Sequence, residues 1–213
     1  VSIRAVIFDI GGVLEITPPL GVTDAWTRRL GLAPGELSER ARDVWRGGSV
    51  GTLTETEVHE QLGVRLGLDE AQVGAFMADI WTEYLGTLNE ELFGYFRSLR
   101  PRYRTAIISN SFVGAREREQ ERYGFGDATD LIVYSHEVGL SKPDPRIYAL
   151  ACEGLGISAP EAVFIDDTEE AVAGARAVGM QAIRYENNAQ VIAAIEVILP
   201  GTRTPPARSA RPR

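Results

Sequence analysis

The chain has 213 residues, 44% of them hydrophobic and 24% charged, with a formal net charge of −8. That is the make-up of a globular protein of one α/β domain, or of one such domain with a smaller insert. The acidic balance argues against nucleic acid or an anionic membrane as a partner. The single cysteine, Cys152, rules out an internal disulfide and points to a reducing, cytoplasmic setting.

Ile3 to Phe8 is an apolar run rich in β-branched residues and reads as a strand buried on both faces, as in a parallel sheet. It is too short to span a bilayer and ends on a carboxylate, Asp9, so neither a signal peptide nor an anchor is expected. Asp9 stands two residues before the pair Gly11-Gly12, at the strand end where open α/β sheets bind ligands. Two prolines then make Glu15 to Pro19 hinge-like. From Gly21 to about Leu99 the pattern is helical. Thr54 with Glu57, and Asp69 with Gln72, read as capping boxes, and Asn89 as the cap of a helix carrying Leu92, Phe93 and Phe96. Trp26 and Trp45 add bulk to earlier helices of this block.

The second half alternates strand and helix. Arg104 to Ser109, Leu131 to Ser135, Ala162 to Asp167 and Gln181 to Tyr185 read as strands, with helices over Arg146 to Leu155 and Glu169 to Val178 between them. Cys152 falls in the first of these helices and reads as a small packing residue. Such alternation predicts a parallel sheet with right-handed crossovers. The helical block after the first strand is much longer than one crossover needs, so it reads as an inserted cap. The expected division is a core of residues 1–14 and 100–199, a cap of 15–99, and a flexible Arg- and Pro-rich tail of 200–213.

Four polar signals follow strands or open the helix after one: Asp9, Ser109-Asn110, Lys142 and Asp166-Asp167. Lys142 is the only lysine among 22 basic residues, and a compact ammonium does what a guanidinium fork does not. Together these residues make a carboxylate nucleophile, a site for a hard cation on oxygen ligands, and groups for a phosphoryl anion.

In these stretches the chain resembles the haloacid dehalogenase (HAD) superfamily, in its branch of small capped phosphatase-like hydrolases. Phe8 to Leu14 is similar to the first family motif, Ile107 to Asn110 to the second, Ser141 to Tyr148 to the third and Phe164 to Thr168 to the fourth. The resemblance implies a Rossmann-like parallel core with an α-helical cap after the first strand. It also implies Mg²⁺ held by Asp9, Asp166, Asp167 and the Gly11 carbonyl. Asp9 would be the nucleophile, Ser109 and Asn110 would lie at the phosphoryl group, and Lys142 would balance charge. The implied activity is hydrolysis of a small phosphorylated metabolite.

One position departs from the family. Its phosphatases carry a second Asp two residues after the nucleophile, which protonates the leaving oxygen; here that residue is Gly11. Loss of a positioned acid/base costs roughly 10²- to 10⁴-fold in rate. Three readings stay open: a substrate with an activated leaving group, a replacement among Glu15, His59 and His136, or a protein that binds without turnover. Glu15 reads as an exposed loop carboxylate, His59 as a surface or packing histidine, and His136 as the best placed of the three. A metal-free dehalogenase gains nothing from Asp166 and Asp167, and the cap offers no lysine for Schiff-base phosphonate chemistry.

Overall fold

A computed structural model describes residues 1–199; the stretch 200–213, expected to be a flexible tail, lies outside the described residues. The chain opens with β1 (Ala5–Phe8) and a two-residue strand β2 (Glu15–Ile16). Four helices follow: α1 (Val22–Arg29), α2 (Glu36–Ser49), α3 (Glu55–Leu66) and α4 (Glu70–Leu85). The chain returns through β3 (Thr87–Leu88) and α5 (Glu90–Ser98) to β4 (Arg104–Ser109). Then come α6 (Ala115–Tyr123), α7 (Phe125–Ala128), β5 (Leu131–Tyr134), α8 (Ser135–Val138) and α9 (Pro145–Leu155). The described chain closes with β6 (Ala162–Asp166), α10 (Glu169–Ala177), β7 (Gln181–Arg184) and α11 (Asn188–Ile198). None of the helices described is long and apolar enough to cross a membrane.

Five strands make one parallel sheet in the order β5-β4-β1-β6-β7. From β1 the chain winds one way to β4 and β5, then returns to the other side for β6 and β7. β1 is therefore the switch point of a doubly wound sheet, where a crevice opens beyond the strand ends. Alternation along β1 serves both faces. Val6 and Phe8 join a cluster with Ile107, Val163 and Ile165, covered by α5, α7 and α11. Ala5 and Ile7 join Ala106, Ile108 and Phe164 beneath α9 and α10.

The segment between β1 and β4 divides in its packing. Helices α1 to α4 share their own apolar cluster, built on Trp26, Val44, Leu62 and Phe76 and reaching Phe112 just beyond β4. The capping boxes at Thr54 and Asp69 are both formed and start α3 and α4. Helix α5 instead packs on the sheet, with Leu92, Phe93 and Phe96 in the Phe8 cluster and the two rings of Phe8 and Phe96 meeting edge to face at 5.0 Å. Helix α5 thus lies within the stretch 15–99 expected as the cap while packing on the sheet. Asn89, which caps α5 by accepting the Leu92 N–H, also donates from Nδ2 to the Val13 carbonyl (2.9 Å), the Tyr185 hydroxyl (3.2 Å) and Asn188 Oδ1 (2.9 Å). It ties the start of α5 to the core.

The helical reading of 21–99 also missed β3. It pairs antiparallel with β2, Glu15 opposite Leu88 and Ile16 opposite Thr87, so both passages between core and cap run side by side. Two-residue strands leave no periodicity to detect. Replacing Phe96 by Ala removes a fully buried ring from the sheet side of this arrangement. The expected loss is about 3–5 kcal/mol by denaturant unfolding, with a loss below about 1 kcal/mol showing that α5 is peripheral.

Candidate active site

Three adjacent strands deliver the polar groups. Phe8 at the end of β1 is in register with Ile107 of β4 and Ile165 of β6. Asp9 therefore emerges between Ile108-Ser109 on one side and Asp166 on the other. Lys142, in the turn before α9, reaches back so that Nζ lies 2.7 Å from Asp9 Oδ1 and 2.6 Å from Asp166 Oδ2. All three groups are buried. Asp9 Oδ1 also accepts the Ile10 N–H at 2.7 Å. Asp166 Oδ1 accepts the backbone N–H of Thr168 at 2.8 Å and its hydroxyl at 2.6 Å.

Asp167 completes an acidic group: Asp9, Asp166 and Asp167 each present a carboxylate oxygen within 4.8 Å of the others. This donor set is entirely oxygen and carries more negative charge than one lysine balances, which suits a hard divalent cation. Burial raises the Asp9 carboxyl to about 7, with Lys142 working against the rise and Asp166 adding to it. Asp167 is also raised, first by burial and then by Asp166. Gly12 makes the close approach of Asp167 possible. Its φ is +75°, and a Cβ there would stand 2.5 Å from Asp167 Oδ2. Gly11 is different, since a Cβ at that position meets nothing within 4 Å.

Ser109 is buried at the end of β4, as its place in the sequence implies. Asn110 faces another duty: its side-chain amide clamps the backbone of Lys142, accepting the Lys142 N–H at 2.7 Å and donating to the Lys142 carbonyl at 3.0 Å. It positions the lysine. Thr168, Gly12 and this clamp carry parts of the site that motif reading alone did not assign.

A family model for haloacid dehalogenase-like hydrolases matches residues 3–179. The chain is a HAD-like hydrolase. It is 29% identical to an N-acetylmuramic acid 6-phosphate phosphatase of Pseudomonas aeruginosa over 192 residues, 86% of this chain and 82% of that one. It is 23% identical to a D-ribitol-5-phosphate phosphatase of Bacteroides thetaiotaomicron, over 92% of this chain and 98% of that one. In fold, it is similar to a HAD family enzyme of Bacteroides thetaiotaomicron whose structure contains magnesium and inorganic phosphate. The TM-score is 0.75 at 20% identity, over 89% of this chain and 99% of that one. A 2-haloacid dehalogenase of Pseudomonas syringae is also similar, with a TM-score of 0.62 at 22% identity over 86% of each chain.

The three residues considered as replacements for the missing Asp separate in space. His59 of this HAD-like hydrolase lines a cavity between α3 and the start of α4 with Thr56, Glu60 and Val73, and no site residue borders that cavity. His136 Nδ1 lies 2.7 Å from Ser111 Oγ, two residues beyond Ser109, and burial lowers its pKa. Glu15 reverses the expectation of an exposed loop carboxylate. It is 1% exposed, and burial raises its carboxyl to about 9, with Glu119 and Asp9 adding to the rise.

Lys142→Met leaves Asp9 and Asp166 buried without their shared cation. The expected cost is about 3–5 kcal/mol in metal-free denaturant unfolding, and a cost under about 1 kcal/mol contradicts the bridging role. A pH effect follows from Glu119, whose carboxyl burial raises to about 7 from 4.5. The folded chain keeps a proton that the unfolded chain loses between those values, so this group's contribution to stability falls as pH rises through that window. Glu119→Gln should flatten the decline in unfolding free energy between pH 5 and 7; an unchanged slope contradicts the assignment.

Proposed function

We propose that this HAD-like hydrolase is a Mg²⁺-dependent phosphatase of small phosphorylated metabolites, working through an aspartyl-phosphate on Asp9. The observation that carries the reading is the single Lys142 ammonium held between Asp9 and Asp166 with Asp167 alongside. The two phosphatases it resembles act, by name, on a phosphorylated sugar acid and a phosphorylated polyol, and a neighbour in fold holds magnesium with phosphate. Asp166 and Asp167 also weigh against dehalogenation, since an alkyl-halide site gains nothing from two further carboxylates.

In this reading an Asp9 carboxylate oxygen attacks phosphorus and the bond to the leaving oxygen breaks. Water then attacks the same phosphorus, releasing phosphate and restoring the Asp9 carboxylate. Lys142 holds the nucleophile in place and offsets the charge that gathers on the phosphoryl oxygens. Ser109 and backbone N–H groups of the loop after β4 face the remaining oxygens. Asp9, Asp166, Asp167 and the Gly11 carbonyl would hold Mg²⁺, which supplies charge stabilisation when bound. Helices α1 to α4 act as the cap that sets the substrate, and α5 belongs with the core. A cytoplasmic setting fits the lone, buried Cys152.

Gly11 offers no proton to the leaving oxygen, so the reading favours activated leaving groups. Acetyl phosphate and p-nitrophenyl phosphate should be hydrolysed slowly with Mg²⁺, and activity should vanish with EDTA or in Asp9→Asn. The open space at Gly11 accommodates a side chain, so Gly11→Asp should speed unactivated esters by about 10²-fold. Beryllofluoride with Mg²⁺ should raise the melting temperature of the natural chain and leave Asp9→Asn unmoved. A chain that neither turns over these esters nor responds to beryllofluoride is not a phosphatase. Equal rates on activated and unactivated esters would place the proton donor elsewhere in the site.

A further inference from the structure

The loop after β4, residues 110–114, joins the site to the cap residue by residue. Asn110 clamps the backbone of Lys142. The Ser111 N–H donates to the Ser135 hydroxyl at 2.8 Å, and that hydroxyl donates in turn to the carbonyl of Ser49 at the end of α2. Phe112 is buried in the apolar cluster of α1 to α4, its ring centroid 5.6 Å from that of Trp45 and 6.2 Å from that of Trp81. The Val113 N–H donates to the Gly48 carbonyl. Just past Gly114, Arg118 of α6 lies over the Trp81 ring at 4.2 Å and pairs with Glu55 of α3 at 2.6 Å.

A loop that only lined the site would have no reason to bury its largest side chain in the cap. The socket for that ring has little slack, because a Cβ at Gly48 would meet Phe112 Cε2 well inside contact distance. Gly48 lies within α2, where alanine would favour the helix more, so room for the ring outweighs helix propensity there. Interiors packed this closely pass a displacement on to their neighbours. Asn110 is two residues from Phe112, and a shift of the ring therefore moves the amide that holds Lys142. The ammonium has a narrow berth, within 2.7 Å of one carboxylate and 2.6 Å of the other.

We propose that Phe112 is a positioning residue: keyed into the cap, its ring holds the loop after β4 so that Asn110 sets the Lys142 ammonium between Asp9 and Asp166. The cap then does more than cover the site, since its seat fixes the charge balance at the nucleophile before any ester arrives. A cap of different build on this core would have to offer the loop an equivalent socket. The effect on turnover rests on the reading of Asp9 as phosphoryl acceptor; the placement of Lys142 does not.

Lys142 is the only lysine in the chain, so isotope-labelled lysine gives one amide and one ammonium signal by magnetic resonance. In the metal-free protein, Phe112→Ala should displace or broaden both. Phe112→Leu refills the socket without a ring current and should return them towards their natural positions. Gly48→Ala, made wholly within the cap, should displace them too, and should add nothing once residue 112 is alanine. Leu37→Ala removes a buried side chain at the opposite end of α2 and should leave both signals in place. With p-nitrophenyl phosphate and Mg²⁺, Phe112→Ala should lower kcat about tenfold while KM stays within about threefold. In an Asn110→Ala background the same change should cost about twofold or less. Lys142 signals unmoved by Phe112→Ala, signals moved as far by Leu37→Ala, or a kcat loss undiminished without the Asn110 amide overturns the proposal. Displaced signals in a chain that hydrolyses no ester would support the positioning of Lys142 and overturn the phosphatase reading.

Discussion

One ammonium holds the centre of this molecule together. Asp9 and Asp166 leave neighbouring strands at the same level, and two buried carboxylates there would repel each other and lose hydration. Lys142 lies within 2.7 Å of both. Its backbone is fixed on two sides by Asn110, so the end of β4 dictates where the charge sits. Three strands, β4, β1 and β6, are thereby joined at their carboxyl ends through side chains as well as through the sheet. An arginine would not reproduce this, because its planar fork spreads charge over a wider front.

That centre depends on topology. A doubly wound sheet reverses direction at β1, and the reversal is what leaves the end of β1 uncovered by a crossover helix. The four-helix insert fills the opening. Its seat on the core is close: the Gly48 carbonyl accepts the Val113 N–H at 3.1 Å, and the Ser49 carbonyl accepts the Ser135 hydroxyl at 2.8 Å. A side chain at Gly48 would run into the ring of Phe112, at 2.2 Å from Cε2. The glycine is therefore a condition of closure, and it connects the end of α2 to the loop that carries Ser109 and Asn110.

The strands of the parallel sheet were legible because each is a run of β-branched or apolar residues ended by a polar group. The capping boxes at Thr54 and Asp69 were legible because their chemistry is local. Asp9, Lys142, Asp166 and Asp167 stood out through residue type at strand ends, and the structure brings them together. What stayed hidden depends on contacts between distant residues. Nothing in Glu15 itself distinguishes an exposed loop carboxylate from one enclosed near Glu119 and Tyr84. That Asn110 also clamps the backbone of Lys142 shows only in the fold. The allegiance of α5 was hidden too, since an amphipathic helix does not state which apolar surface it will cover.

The β2–β3 pair has a consequence of its own. The two chain passages between the sheet and the four-helix insert are hydrogen-bonded neighbours, Glu15 beside Leu88, so the insert enters and leaves at nearly one point. A segment attached in that way is topologically a graft: it could be lengthened, shortened or exchanged for another without altering the register of any sheet strand. Divergence among proteins of this architecture can then proceed by replacing the graft, while the chemistry at its base is inherited intact.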